Sequence, residues 1–224
     1  MGCGAWVTAM FRKTLVAMVF GGILFGASVA SASSIYIFST STCSTSCGSA
    51  PFGSVTLTQT GTTVDVLIHL FNGEGYVKTG AGDDQAFKFN ATGVALGDIT
   101  VDPHTPGLIA TTGSYSGDGG GAYTFGINCP TCGGGGSGAF FDDISFHVAD
   151  ALIADLVSPN GNGFIFAADI LGTNGNTGLV EATECSSDCT QELAQVPEPG
   201  SLLLLGSGVV GIAMRLRKRA SAKR

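Results

Sequence analysis

Apolar and polar residues alternate with period two along the middle of the chain. Val64-Asp-Val-Leu-Ile-His-Leu70 places Val64, Val66, Ile68 and Leu70 on one face of an extended segment, with His69 on the other. Gln85–Asn90 does the same for Phe87 and Phe89, and Asp143–Val148 for Ile144, Phe146 and Val148, opposite His147. Gly163–Ile170 aligns Phe164, Phe166, Ala168 and Ile170. Ser34–Ser39, Ser54–Thr60, Leu108–Thr112 and Ala122–Ile127 are further strand candidates, separated by Gly, Asn and Asp. Only Asp150–Val157 carries a helical pattern, with Asp150 as its expected N-cap. About eight to ten short strands predict an all-β antiparallel two-sheet sandwich, jelly-roll or Ig-like. A barrel is the alternative.

The two ends follow other rules. Arg12 and Lys13 precede an apolar stretch from Leu15 to Ala27, then Val29-Ala-Ser-Ala32. Small residues at Ala30 and Ala32 form an A-x-A cleavage site, so residues 1–32 read as a signal peptide cut after Ala32. Residues 1–9 add nothing to that design, and Met10 is the expected true start. At the other end stand Pro197-Glu198-Pro199, an apolar run from Ser201 to Met214, and the basic residues Arg215, Arg217, Lys218 and Arg219. The apolar run would span ~21 Å as a helix, short of the ~30 Å hydrocarbon core. It is therefore expected to sit only transiently in the inner membrane, its basic end cytoplasmic and the central domain outside. The prolines keep the triplet extended, where a protease can reach it.

This tail resembles the PEP-CTERM sorting signal in all three parts: triplet, short helix and Arg-rich end. The resemblance implies export, cleavage near the triplet by an exosortase-type enzyme, and release or attachment at the surface of a bacterium that makes extracellular polysaccharide. It covers residues 197–219, followed by a cytoplasmic tail, 220–224, and preceded by a stem, 191–196, and a β-sandwich domain, 33–190. The phrase from Phe166 to Gly178 also looks like a late strand and turn of many PEP-CTERM ectodomains.

Charge sharpens the picture. The whole chain has net charge −7, but its basic residues cluster at the ends. Between Ser33 and Val196 only Lys78 and Lys88 oppose sixteen acidic residues, a formal charge of −14. Such a domain repels phosphate backbones, so nucleic acid is not an expected partner. Abundant Gly (35 residues) and few charged residues (12%) suit a turn-rich β chain.

Six cysteines follow the signal, in three close pairs: Cys43/Cys47, Cys129/Cys132 and Cys185/Cys189. In an exported protein they read as disulfides, with pairing inside each motif the simplest of fifteen connectivities. The rivals are a zinc site on Cys129/Cys132 and a second pair, and a redox motif at Cys129-Pro-Thr-Cys132. The latter runs into the glycine-rich segment 133–138 instead of a helix N-terminus.

Catalytic chemistry finds little support. Of the three histidines, His104 sits in a turn, and no H-E-x-x-H or G-x-S-x-G pattern occurs. Asp83-Asp84 and Asp142-Asp143 are adjacent carboxylates, which point to opposite faces of a strand. In loops they could ligate calcium with Asp118, Asn160, Asn162, Asn174 or Asn176, although no EF-hand-type pattern is present. No cofactor or catalytic residue is expected. The expected role is a non-enzymatic surface or matrix protein, handled by signal peptidase and an exosortase, and associated with extracellular polysaccharide. A carbohydrate-binding module and a secreted hydrolase are the alternatives. The four tyrosines after the signal, Tyr36, Tyr76, Tyr115 and Tyr123, are dispersed.

Overall fold

The computed structural model describes residues 32–183, apart from 44, 79–82, 104–105 and 118. Two antiparallel sheets face each other. The smaller has the order β1 (Ala32–Phe38), β3 (Gly53–Thr60), β4 (Thr63–Leu70), β10 (Ile144–Val148), β7 (Ile99–Val101). The larger runs β2 (Thr40–Ser41), β12 (Thr177–Ala182), β11 (Phe166–Leu171), β6 (Gln85–Phe89), β9 (Ala122–Asn128), β8 (Ile109–Ser116). A short β5 (Gly75–Tyr76) pairs with the far end of β11. The β3–β4 hairpin turns at Gly61-Thr62, with Gly61 at φ 63°, a left-handed residue as a two-residue hairpin turn requires.

Alternation decides which side chains meet between the sheets. Val64, Val66, Ile68 and Leu70 of β4 are buried, as are Ile144, Phe146 and Val148 of β10. They meet Phe87, Phe89 and Phe166 from the larger sheet, whose rings stack on one another and on Phe146 at centroid separations of 5.5–6.1 Å. Each such ring contributes roughly 1.5–3 kcal/mol of burial, so this aromatic layer is a principal source of stability.

The structure departs from the sequence pattern in three ways. The helix, α1, is only Ile153–Leu156. Asp150 lies outside it at φ 50°, and Leu152 takes the N-cap, its N–H donating to the Asp155 carboxylate at 2.8 Å. Four strands were not legible: β2, β5, β7 and β12. Three are too short to show a period, and β12 (Thr-Gly-Leu-Val-Glu-Ala) has none. Finally, β6 is buried on both faces, and so is β11 apart from its last residue. The outer face of the larger sheet carries a second small core of Tyr123, Ala167 and Leu179, flanked by Tyr115 and Phe164.

Candidate functional site

The outer face of the larger sheet gathers a cluster of buried ionisable groups. One row across β6, β11 and β12 holds Lys88, Ala167 and Glu181, because Ala167 pairs with both of the others. Asp169 lies two residues further along β11 and Asp83 just before β6. The Lys88 Nζ is fully buried: it donates to Asp169 Oδ2 (3.0 Å) and the Ser116 carbonyl (2.9 Å), and it forms an ion pair with Asp83, whose Oδ2 lies 3.0 Å away. Burial opposes the ammonium, but the charges of Asp169 and Asp83 outweigh it and hold the Lys88 pKa above its ordinary value.

Glu181 is fully buried beside this pair. Its Oε1 accepts the Tyr123 hydroxyl at 3.2 Å, while Oε2 has no hydrogen-bond partner. Burial pushes its carboxyl up to about 7, against the pull of Tyr123 and Lys88. The Tyr123 phenol is raised in turn, by burial first and by the Glu181 charge second. Gly120 roofs the cluster: a Cβ there would overlap the Glu181 carboxylate. Asn160 Nδ2 fixes that roof by donating to the Gly120 carbonyl at 2.8 Å.

The outer face of the smaller sheet carries a different network, in solvent. His147 donates through Nδ1 to Asp65 (2.6 Å) and through Nε2 to Asp102 (2.8 Å). Ser145 donates to the second oxygen of Asp102, and Thr60 to Asp65. The Asp65 hydrogen bond is the largest cause of a raised His147 pKa; burial opposes it and Asp102 adds to it. His69 pairs with Asp143 at 2.7 Å. Both histidines are exposed, as the alternation predicts, but each is tied to a carboxylate. The Ser145 hydroxyl thus reaches His147 through the Asp102 carboxylate that both of them contact.

Cys43 joins Cys47 and Cys129 joins Cys132 in disulfides, with Cα separations of 5.9 and 5.3 Å. The thiols considered above for zinc or redox chemistry at Cys129 and Cys132 are thus bonded to each other. The Cys43–Cys47 loop sits in the β11–β12 hairpin. Asn174 and Asn176 both donate to the Ser46 carbonyl, at 2.6 and 3.0 Å, and Gly172 and Gly178 press against Cys47 and Cys43.

The calcium candidates are dispersed. Asp83 faces Lys88, and Asp84 faces Lys78 at 3.5 Å. Asp142 is exposed, Asp143 holds His69, and the four asparagines bind backbone groups. Among the described residues, no three His, Cys, Asp or Glu side chains are placed to share a metal ion. The tyrosines form no exposed row: Tyr76 and Tyr123 are buried, Tyr36 packs edge-on against Phe166, and Tyr115 is half-buried.

Sequence reasoning missed Lys88, Asp169, Glu181 and Tyr123 as a group. Their signal was faint: charges at the centre of otherwise apolar strands, one of them among only two lysines in an acidic domain.

Ala32 opens β1 opposite Gln59, so a cut after it leaves Ser33–Phe38 of that strand in place. Ala30, Cys185, Cys189, His104, Asp118, Pro197, Glu198, Pro199, Arg215, Arg217, Lys218 and Arg219 lie outside the described residues. Residues 195–218 match the family model of the PEP-CTERM protein-sorting motif. No curated protein and no solved structure matches the chain. The motif marks an exported protein that is processed by an exosortase-type enzyme.

Proposed function

We propose that a chain carrying this sorting motif ends as a non-enzymatic component of the cell surface or extracellular matrix, associated with polysaccharide. Signal peptidase removes residues 1–32. The segment from Ser201 then holds the chain in the inner membrane until an exosortase-type enzyme cuts near Pro197-Glu198-Pro199. The match over residues 195–218 carries this reading. Three further features support it: the formal charge of −14 between Ser33 and Val196, the disulfides that suit an oxidising compartment, and the outer-face histidines held by carboxylates. A second reading, a carbohydrate-binding module, is favoured by a cavity beside Tyr115.

The processing step is tested by replacing Pro197, Glu198 and Pro199 together with alanine and fractionating the producing cells. The variant is expected to accumulate in the inner membrane at higher mass, while the parent chain reaches the surface or medium. Equal mass and distribution for the two would overturn the proposal.

A further inference from the structure

A cavity of about 470 Å³ opens to solvent where the β8–β9 hairpin folds over the larger sheet. Ser114, Tyr115, Ser116, Gly119, Gly121 and Asn162 line it. Its volume lies within the usual range for small-molecule sites, roughly 300–1,000 Å³.

The cavity is built by irregularities that a plain hairpin would lack. The β8–β9 register shifts between Thr112 and Tyr115, so Gly113 and Ser114 together oppose Thr124. Such a bulge re-aims the side chains beside it, here Ser114 and Tyr115. The Tyr115 ring lies over Gly113, where a Cβ would come within 3.1 Å of it, and it packs against the Tyr123–Ala167–Leu179 cluster. It is a fixed aromatic platform. Gly119 and Gly121, at φ 97° and 111°, shape the opposite wall.

That wall is held from below by side chains on other elements. Lys88 donates to the Ser116 carbonyl, Asn162 to Gly119 (3.0 Å) and Asn160 to Gly120 (2.8 Å). A buried ammonium is not an economical way to stabilise a sheet, since apolar residues of similar volume do as well or better. One of its two hydrogen bonds goes to the cavity's rim, at the Ser116 carbonyl. Positioning the rim before a ligand arrives is what such support accomplishes.

The lining selects the ligand class. Among the described residues none that lines the cavity is charged. It offers a tyrosine ring with its phenol, two serine hydroxyls, a carboxamide and backbone groups. A sugar ring matches this set, with an apolar face for Tyr115 and a rim of hydroxyls for Ser114, Ser116 and Asn162. Anions would meet the field of a strongly acidic domain. Among the described residues, the Glu181 carboxylate lies beneath Gly120 and does not line the cavity.

We propose that this cavity binds a neutral sugar unit of a polysaccharide, an inference that rests on the polysaccharide reading above and gives it a location. The test is calorimetric titration of the full chain with maltohexaose, cellohexaose and polysaccharide extracted from the producing cells. Tyr115→Ala removes the platform, and Ser114→Trp fills the cavity from an exposed position without deleting any packing. At least one probe is expected to bind, and both variants to weaken it about tenfold or more while the Ser114→Trp protein keeps its melting temperature. Binding within twofold of the parent in Ser114→Trp would overturn this location and leave the polysaccharide reading standing. Failure of all three probes to bind the parent chain would overturn both.

Discussion

Replacing Lys88 with methionine keeps most of the side chain's volume but removes the charge that three buried oxygens share. Asp169 and Asp83 would then both lose the ammonium they share, and the Ser116 carbonyl would lose its Lys88 donor. Removing one partner of a buried ion pair costs about 3–5 kcal/mol. For a domain of this size, each kcal/mol lowers Tm by roughly 2–4 °C, so a fall on the order of 10 °C is expected. The deficit should also depend on pH. Two buried carboxylates that have lost their shared ammonium destabilise the fold most when both are ionised, so the variant should lose further stability as pH rises above the ordinary carboxylate range. Urea melts followed by circular dichroism at pH 5 and pH 8, with disulfides intact, measure both effects. Lys88→Met combined with Asp169→Leu should recover a substantial part of the loss, since an apolar pair replaces a charged one. If Lys88→Met alone unfolds within about 1 kcal/mol of the parent at both pH values, the cluster is not the paired, buried unit described here.

Two other expectations follow from particular contacts. Glu181 and Glu74 are both pushed up to about 7 by burial, and the Glu74 Oε2 is likewise without a partner. Their folded pKa exceeds the unfolded value near 4.5, so their contribution is complete below pH 4.5 and is lost as pH rises through 7. The raised His147 acts in the same direction. The urea midpoint should therefore fall between pH 5 and pH 8, and Glu181→Gln with Glu74→Gln should flatten that slope. Gly172→Ala would drive a Cβ into the Cys47 carbonyl, a backbone atom that cannot step aside, and should cost about 1–3 kcal/mol in a thermal melt. Gly97→Ala, which faces open space, should be silent.

The sandwich was legible in the sequence wherever one strand face meets the core and the other meets water. β4 and β10 show this: their inward Val, Ile, Leu and Phe and their outward Asp and His follow the period, and the structure keeps both faces. The same rule failed for β6 and β11. Alternation there predicts an exposed Lys88 and Asp169, yet a second layer of loop covers them, and period two carries no information about a roof. Asp83 and Asn160 were visible as polar loop residues, but their partners lie on distant strands, so their roles as ion-pair partner and loop clamp needed the fold. Gly120 illustrates the same point, since only the folded hairpin brings it onto Glu181. The sorting motif was legible because its meaning is local: the triplet, the apolar run and the basic end adjoin one another in sequence.

The intact mass of the protein recovered from the surface or medium of its producing cells, before and after reduction, tests the central claim most directly. The expected species begins at Ser33, ends near Pro197-Glu198-Pro199, and gains two hydrogens on reduction for each disulfide, including Cys43–Cys47 and Cys129–Cys132. A species that still carries Ser201–Arg224 would contradict processing at the triplet and make the tail a lasting anchor.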